Sequence, residues 1–304
     1  MSTLRVAFLI LAHSDALHLE RLCRILHPHS VFVHIDGKAT EFPIEKIAAL
    51  PGVTMVKPSI EVYWGDFSMI EATLTLLKTA REKAQFDRYV LLSGACYPVQ
   101  PLTALEAELA LDSTREWIAL TPITRESHLF SLIGRRWRMA PIVSQPTLDR
   151  QLRSGWNKVS KMIGRDLERE ISMTPYFGSQ WWALTGECVA MILEFVNSHP
   201  SFVRAYRSVY APDEHFFHTI VANSRFGASA IPVEDHGPAT NQFTPLHLIS
   251  TANDRHFGSA EADFVLVSAT EHLFIRKIST ERSGVLLDWI DRELLRTDSG
   301  VGAE

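Results

Sequence analysis

Asp213 and Glu214 stand side by side in Pro212-Asp213-Glu214-His215. Two adjacent carboxylates repel, which raises one proton affinity toward the range a general base needs. A helix start offers a second account: acids in a first turn are favoured by the macrodipole, so capping alone covers Asp213. It covers Glu214 less well. His215 either orients the pair, binds a metal or fills a structural place. In His34-Ile35-Asp36 an imidazole and a carboxylate two residues apart leave a strand on the same face. With His13 and Asp213 they would make the ligand set of a metal-dependent hydrolase, provided the fold brings all four together. Arg255, Arg276 and Lys277 form a third group. Arginine forks and a lysine point charge suit a diphosphate; the alternative is scattered surface charge.

The elements that must position these residues alternate along the first 120 positions. Residues 6–12, 31–35, 53–56 and 89–92 are apolar runs of strand length, and 16–26, 44–50 and 69–82 carry helical spacing. Strand and helix in turn predict an α/β protein with a mostly parallel sheet covered on both faces. Ligands of such sheets sit beyond the carboxyl ends of the strands. Those ends read His13-Ser14-Asp15, His34-Ile35-Asp36-Gly37-Lys38 and Ser93-Gly94. No stretch matches a phosphate loop or a dinucleotide GxGxxG turn, which counts against a P-loop NTPase and a Rossmann dehydrogenase. From 125 to 161, basic residues interleave with Trp137 and Trp156, as for an anionic or sugar ligand or a solvated face with anchoring tryptophans. Further on, 187–199 and 213–222 read as helices, 237–245 as loop and 285–295 as an amphipathic helix. Residues 298–304 read as a flexible tail. Trp64-Gly65 in Val62-Tyr63-Trp64-Gly65-Asp66 has no local explanation.

The chain has 304 residues, 46% hydrophobic and 21% charged, with a formal net charge of −5. Size scaling predicts burial of about three quarters of the unfolded surface, so a core can form without staples. An acidic balance argues against a nucleic-acid partner. Cys23, Cys96 and Cys188 are far apart in apolar stretches and form no CxxC pair, the pattern of buried free thiols. The apolar run at 6–12 is too short for a membrane span, which needs roughly 20 residues. It also lacks a cleavage site, so a cytoplasmic protein without a transmembrane segment is expected, peripheral at most at the inner face of a membrane.

Six segments then come in a telling order. They are His34-Ile35-Asp36-Gly37-Lys38, Val62-Tyr63-Trp64-Gly65, Leu91-Leu92-Ser93-Gly94-Ala95-Cys96-Tyr97-Pro98, Gly178-Ser179-Gln180-Trp181-Trp182, Ala211-Pro212-Asp213-Glu214-His215-Phe216 and Leu273-Phe274-Ile275-Arg276-Lys277. Together they resemble the core-2/I-branching β-1,6-N-acetylglucosaminyltransferase family, which includes the peptide O-xylosyltransferases.

The resemblance implies a GT-A-like fold and inverting transfer from a UDP-sugar, with no Asp-x-Asp metal site and no cofactor. By that likeness Glu214 is the general base, and Arg255 and Lys277 neutralise the diphosphate. Leu11, Ala12, His13, Asp36, Gly37, Lys38 and Tyr63 look like donor-binding positions. Arg135, Trp137, Arg138 and Trp181 are candidate acceptor contacts. The donor is expected to be of the UDP-N-acetylglucosamine or UDP-xylose type, and the acceptor a glycan or other glycoconjugate hydroxyl. Residues 1–297 would form a single catalytic domain of compact bacterial type. Its nucleotide-binding half would cover 1–120, and its acceptor and catalytic half 121–297. A non-catalytic nucleotide-sugar or glycan-binding module is the alternative, ahead of the metal-dependent hydrolase.

Overall fold

All seven residues of β1 (Val6–Ala12) are buried, as for a strand covered on both faces. The computed structural model describes residues 4–39, 42–235, 244–250 and 256–295. From β1 the chain runs through α1 (Ala16–Ile25), β2 (Ser30–Ile35), α2 (Ile44–Ala48), β3 (Val53–Met55), α3 (Ser68–Lys83) and β4 (Arg88–Ser93). Next come β5 (Cys96–Pro98), α4 (Leu102–Leu111), β6 (Ala119–Pro122), α5 (Phe130–Ile133), α6 (Pro146–Ile163) and α7 (Leu167–Ile171). β7 (Tyr176–Phe177), β8 (Ala183–Thr185), α8 (Gly186–Ser198) and α9 (Pro200–Tyr206) lead to a 3₁₀ turn at Pro212–Glu214. The last elements are α10 (Phe216–Ala222), β9 (Ile231–Pro232), β10 (His247–Ile249), α11 (Glu261–Ser268), β11 (Phe274–Arg276) and α12 (Thr280–Trp289).

The main sheet has the order β3-β2-β1-β4-β8, parallel except for β8 at one edge. The expected α/β class with a mostly parallel sheet is therefore present. Its seven apolar strand residues divide by the period of two. Ala7, Leu9 and Leu11 enter one core with Leu77, Trp182 and Phe217. Val6, Phe8 and Ile10 enter the other with Leu19, Phe274 and Leu287. Cys23, Cys96 and Cys188 are free and buried in these cores, and burial pushes the Cys23 thiol up to about 12.

Spatial order departs from chain order between β1 and β4. The chain steps outward from β1 through β2 to β3, then crosses back to place β4 on the other side of β1. A crevice opens at such a reversal, at the carboxyl ends of the strands. Two small sheets flank it, β10-β11-β5 and β7-β6-β9. β11 lies antiparallel to β5, with Arg276 opposite Cys96, so the segment just after β11 arrives beside the end of β4.

Three stretches differ from the periodicity. The helix expected over 213–222 is split: Ala211 takes a left-handed φ of 45°, a 3₁₀ turn follows, and α10 begins only at Phe216. The final helix starts earlier than expected, at Thr280, because Ser279 accepts a hydrogen bond from the Arg282 N–H and caps it. It closes in a π turn at Ile290–Leu294. The basic-aromatic stretch holds α6, the longest helix described. Most of 237–245 and all of 298–304 lie outside the described residues.

At the opposite end of β4, Arg88 is buried and donates to the carbonyls of Leu109, Asp112 and Arg115. Two of these close the carboxyl end of α4, where carbonyls lack intrahelical partners. Arg88→Met would take the guanidinium from all three carbonyls and leave the buried Leu109 acceptor without it, and urea unfolding should show a loss of roughly 2 kcal/mol.

Candidate functional site

The crevice between β1 and β4 is lined by the polar residues that end the strands. Asp36 ends β2 and holds both of its oxygens on Lys38, at 2.9 and 2.8 Å, and one on the Val62 N–H at 3.2 Å. Burial opposes its charge, but these donors outweigh burial and hold the carboxyl below the usual range. Lys38 also donates to the Val62 carbonyl and lies 4.5 Å from the Tyr63 ring centre. The Gly37 N–H donates to the Ile60 carbonyl at 2.9 Å, so the segment leading to Tyr63 is strapped across the end of β2. Leu11 and Ala12 are buried at the end of β1. Their carbonyls accept from the Gly94 and Asp36 N–H groups, both at 2.8 Å.

Asp15, just past His13, caps α1 through the His18 N–H and also binds Thr280 by backbone and side chain, at 2.6 and 2.7 Å. That clamp brings the segment after β11 to the end of β1. His13 consequently sits within the fields of Asp36, Arg276, Lys38 and Lys277. Partial burial lowers its proton affinity, and the three cations add to this against Asp36. Arg276 is half-buried, donates to the Ser93 hydroxyl and lies 4.5 Å from the Trp181 ring centre. Burial lowers its pKa. A guanidinium desolvated this way is primed for an anion.

The carboxylate pair is built by three loops. Ala211 donates its N–H to the Gly65 carbonyl at 3.0 Å, which sets the left-handed turn ahead of Pro212. Gly65 itself has φ +71°, a value that suits glycine. The Glu214 carbonyl accepts from the Gly178 N–H at 3.0 Å. A Cβ on Gly178 would lie 2.0 Å from the Ala119 carbonyl oxygen and 2.6 Å from the His218 ring, so this approach tolerates only glycine. Beneath the pair His215 and His218 are buried and neutral, driven by burial to about 3 and about 4.

Burial raises the proton affinity of both Asp213 and Glu214, and the neighbouring Asp213 raises that of Glu214 further. The Asp213 carboxyl takes its own backbone N–H, while its Oδ1 has no hydrogen-bond partner.

Aromatic rings continue outward from this turn. Tyr210 feels the field of both carboxylates. It meets Trp64 edge-on at 5.5 Å and Trp137 at 4.9 Å, and the Arg135 guanidinium lies 3.5 Å from the Trp137 ring centre. Trp64 is 72% exposed. Rings of this kind, one face wet, suit a sugar or another flat apolar face.

The expected residues thus fall into two groups. His13, Asp36, Gly37, Lys38, Tyr63 and Lys277 gather at the strand ends. Arg135 and Trp137 flank the carboxylate turn, while Arg138 is exposed and binds Asn157 through its backbone N–H. Trp181 is buried beneath Arg276, so it supports the cationic side of the site. Arg255 lies outside the described residues. The metal set His13, His34, Asp36 and Asp213 is not assembled: His34 is buried and its Nε2 accepts the Ile60 N–H at 2.9 Å. No three His, Cys, Asp or Glu side chains converge among the described residues. Tyr210, Trp64 and Arg276 join the site beyond the expected set. Arg276 stood in the cationic group from its sequence; Tyr210 carried only its place three residues before Asp213.

The two groups are tied by one short segment. Gly178 holds the Glu214 backbone, and Trp181, three residues on, lies under Arg276. Three peptide units span at most about 11 Å between Cα atoms. The Glu214 turn and the Arg276 guanidinium are thereby anchored on one stretch of four residues.

The sequence profile described as Core-2/I-Branching enzyme matches residues 6–234. Xylosyltransferase oxt of Drosophila pseudoobscura pseudoobscura is 23% identical over 72% of this chain and 24% of its own length. Human Xylosyltransferase 2 is 22% identical over 72% of this chain and 25% of its own. The chain thus spans about a quarter of the length of these curated relatives. Among solved structures, Staphylococcus aureus TarS 1–349 in complex with UDP-GlcNAc aligns with a TM-score of 0.28 and 12% identity, over 40% of this chain and 35% of that one.

A buried carboxyl with a raised pKa keeps its proton longer in the folded chain than in the unfolded one. Its charge then weakens the fold as pH rises from the ordinary glutamate value through the raised one. Glu214→Gln removes that charge. Its melting temperature should match the parent near about pH 4 and exceed it increasingly toward about pH 8 in paired thermal melts.

Proposed function

The chain belongs to the core-2/I-branching enzyme family of glycosyltransferases, and we propose that it moves a sugar from a UDP-sugar to an acceptor hydroxyl in one inverting displacement. The observation that carries this reading is the segment from Gly178 to Trp181, which joins the Glu214 turn to the Arg276–Lys277 cations. Donor nucleotide and diphosphate occupy the strand-end crevice, beside His13, Asp36 and Lys38. The acceptor lies over Tyr210, Trp64 and Trp137.

Glu214 takes the proton from the acceptor hydroxyl, whose oxygen attacks the anomeric carbon from the side opposite the diphosphate. The bond from that carbon to the diphosphate oxygen breaks, and UDP leaves with the electron pair. Its growing charge is met by Arg276 and Lys277, fixed donors in a partly desolvated site. These cations do what a divalent metal does in other transferases, so the reaction needs no metal. The neutral histidines below serve the same end, since a protonated imidazole there would lower the basicity of Glu214. The relatives' name supports a xylose donor, and the resemblance to the branching enzymes supports an N-acetylglucosamine one.

Loss of a general base costs roughly 100- to 10,000-fold in turnover. Glu214→Gln should fall in that range with UDP affinity unchanged, measured by single-turnover kinetics beside calorimetric titration of UDP; retained turnover would remove Glu214 from the role. Lys277→Ala, by contrast, should weaken UDP about 10-fold or more, as loss of a charged hydrogen bond does. The same weakening should appear in EDTA, and UDP binding that vanished on chelation would overturn the metal-free reading.

A further inference from the structure

α6 is mounted with its polar side inward. The face that meets the body carries Asp149, Arg153, Asn157 and Ser160. Asp149 accepts from the Ile142 N–H at 2.6 Å and pairs with Arg153 at 2.7 Å. Arg153 also donates to the Met139 carbonyl, Asn157 accepts from the Arg138 N–H, and Ser160 bonds both ways with the Arg136 backbone. Within the helix only Asp149 and Ser160 are buried. The outward face carries Leu148, Leu152, Trp156, Val159 and Ile163, exposed by 42%, 42%, 49%, 52% and 76%. At ~100° per residue these side chains fall within one arc of roughly 80°, and Met162 widens it to about 120°. Trp156, expected to anchor a solvated face, points to solvent itself.

Charge says what this face meets. The chain as a whole is acidic, with a net charge of −5. α6 nevertheless carries four cations and one acid, and that acid is already paired with Arg153. No acid pairs with Arg150, Lys158 or Lys161 among the described residues. These three line a shallow cavity of about 370 Å³ together with Arg135 and Arg153. An apolar arc with a tryptophan, edged by Lys158 and backed by a polar side carrying Arg150 and Lys161, is the pattern of a helix lying in a membrane interface. The described helices include none long and apolar enough to cross a membrane. A surface helix is a different device.

We propose that α6 docks the protein on an anionic lipid bilayer, with Leu148, Leu152, Trp156, Val159 and Ile163 entering the headgroup region, Lys158 at the edge of that arc reaching lipid phosphates, and Arg150 and Lys161 adding positive charge on the polar side. Arg135 belongs both to the basic cavity and, through Trp137 and Tyr210, to the edge of the carboxylate turn. Docking therefore turns the acceptor side of the site toward the membrane. This last step rests on the transferase reading; docking itself does not.

The test is co-sedimentation of the full chain with vesicles of phosphatidylcholine alone or with about 30% phosphatidylglycerol. Binding to the anionic vesicles, weakened by salt, is the expected result. Leu152→Glu with Trp156→Glu should abolish it. Lys158→Gln with Lys161→Gln should lower partitioning roughly 25-fold, about five-fold for each cation. Both double variants should keep parental melting and turnover on a soluble acceptor, since the four side chains project outward. The lysine pair keeps the test open if the glutamates disturb folding. Failure to pellet with anionic vesicles overturns the proposal, and so does equal pelleting of parent and variants. Self-association in sedimentation velocity that Trp156→Glu removes, without vesicle binding, assigns the face to a second copy and also overturns it. Vesicle binding with no turnover on any sugar nucleotide leaves docking standing and removes the transferase reading.

Discussion

Everything at the site depends on the close backbone approach at Gly178. Its N–H holds the Glu214 carbonyl, and its missing side chain lets the Ala119 carbonyl and the His218 ring pass where a Cβ would stand. From there the chain reaches Trp181, over which the half-buried Arg276 lies, within three residues. The Glu214 turn and the Arg276 guanidinium are thus anchored on one short strut. Gly65 provides the second fixed point by accepting the Ala211 N–H and setting the turn that presents both carboxyls.

The strut works against the stability of the fold. Two half-buried carboxyls stand over two buried imidazoles, the former raised and the latter lowered in proton affinity by loss of water. A core built for stability would hold apolar residues here. Buried groups without compensating partners are a common mark of functional sites, where stability is exchanged for reactivity. Desolvation also strengthens every interaction with developing charge. The same physics explains the opposite face of the crevice, where Asp36 stays ionised because Lys38 and two backbone donors surround it.

The molecule divides its charge in a way that net charge hides. An acidic whole carries a cationic helix whose apolar side faces outward, next to the aromatic rings of the acceptor flank.

Much of the parallel sheet was legible in the amino-acid sequence, because a strand covered on both faces must be apolar throughout and its neighbours must carry helical spacing. β1, β2 and β4, the helices between them and the polar strand ends follow from that rule alone, as do the buried cysteines. Family order of six short segments added an expected role for Glu214 and for the donor-side residues. What periodicity missed were features set by contacts distant in sequence. The 213–222 stretch has helical spacing, yet Gly65 and Gly178 hold its first residues in another conformation. Trp181 reads as a ligand contact until Arg276 arrives over it from nearly a hundred residues on. The apolar stripe of α6 has the spacing of a core helix, and spacing is the same whether a stripe faces in or out. Sequence by itself determined which elements form and which residue types end them, since those depend on local geometry and burial. Tertiary structure alone decided which of those ends meet and which face of α6 remains outside, because both depend on what packs against them.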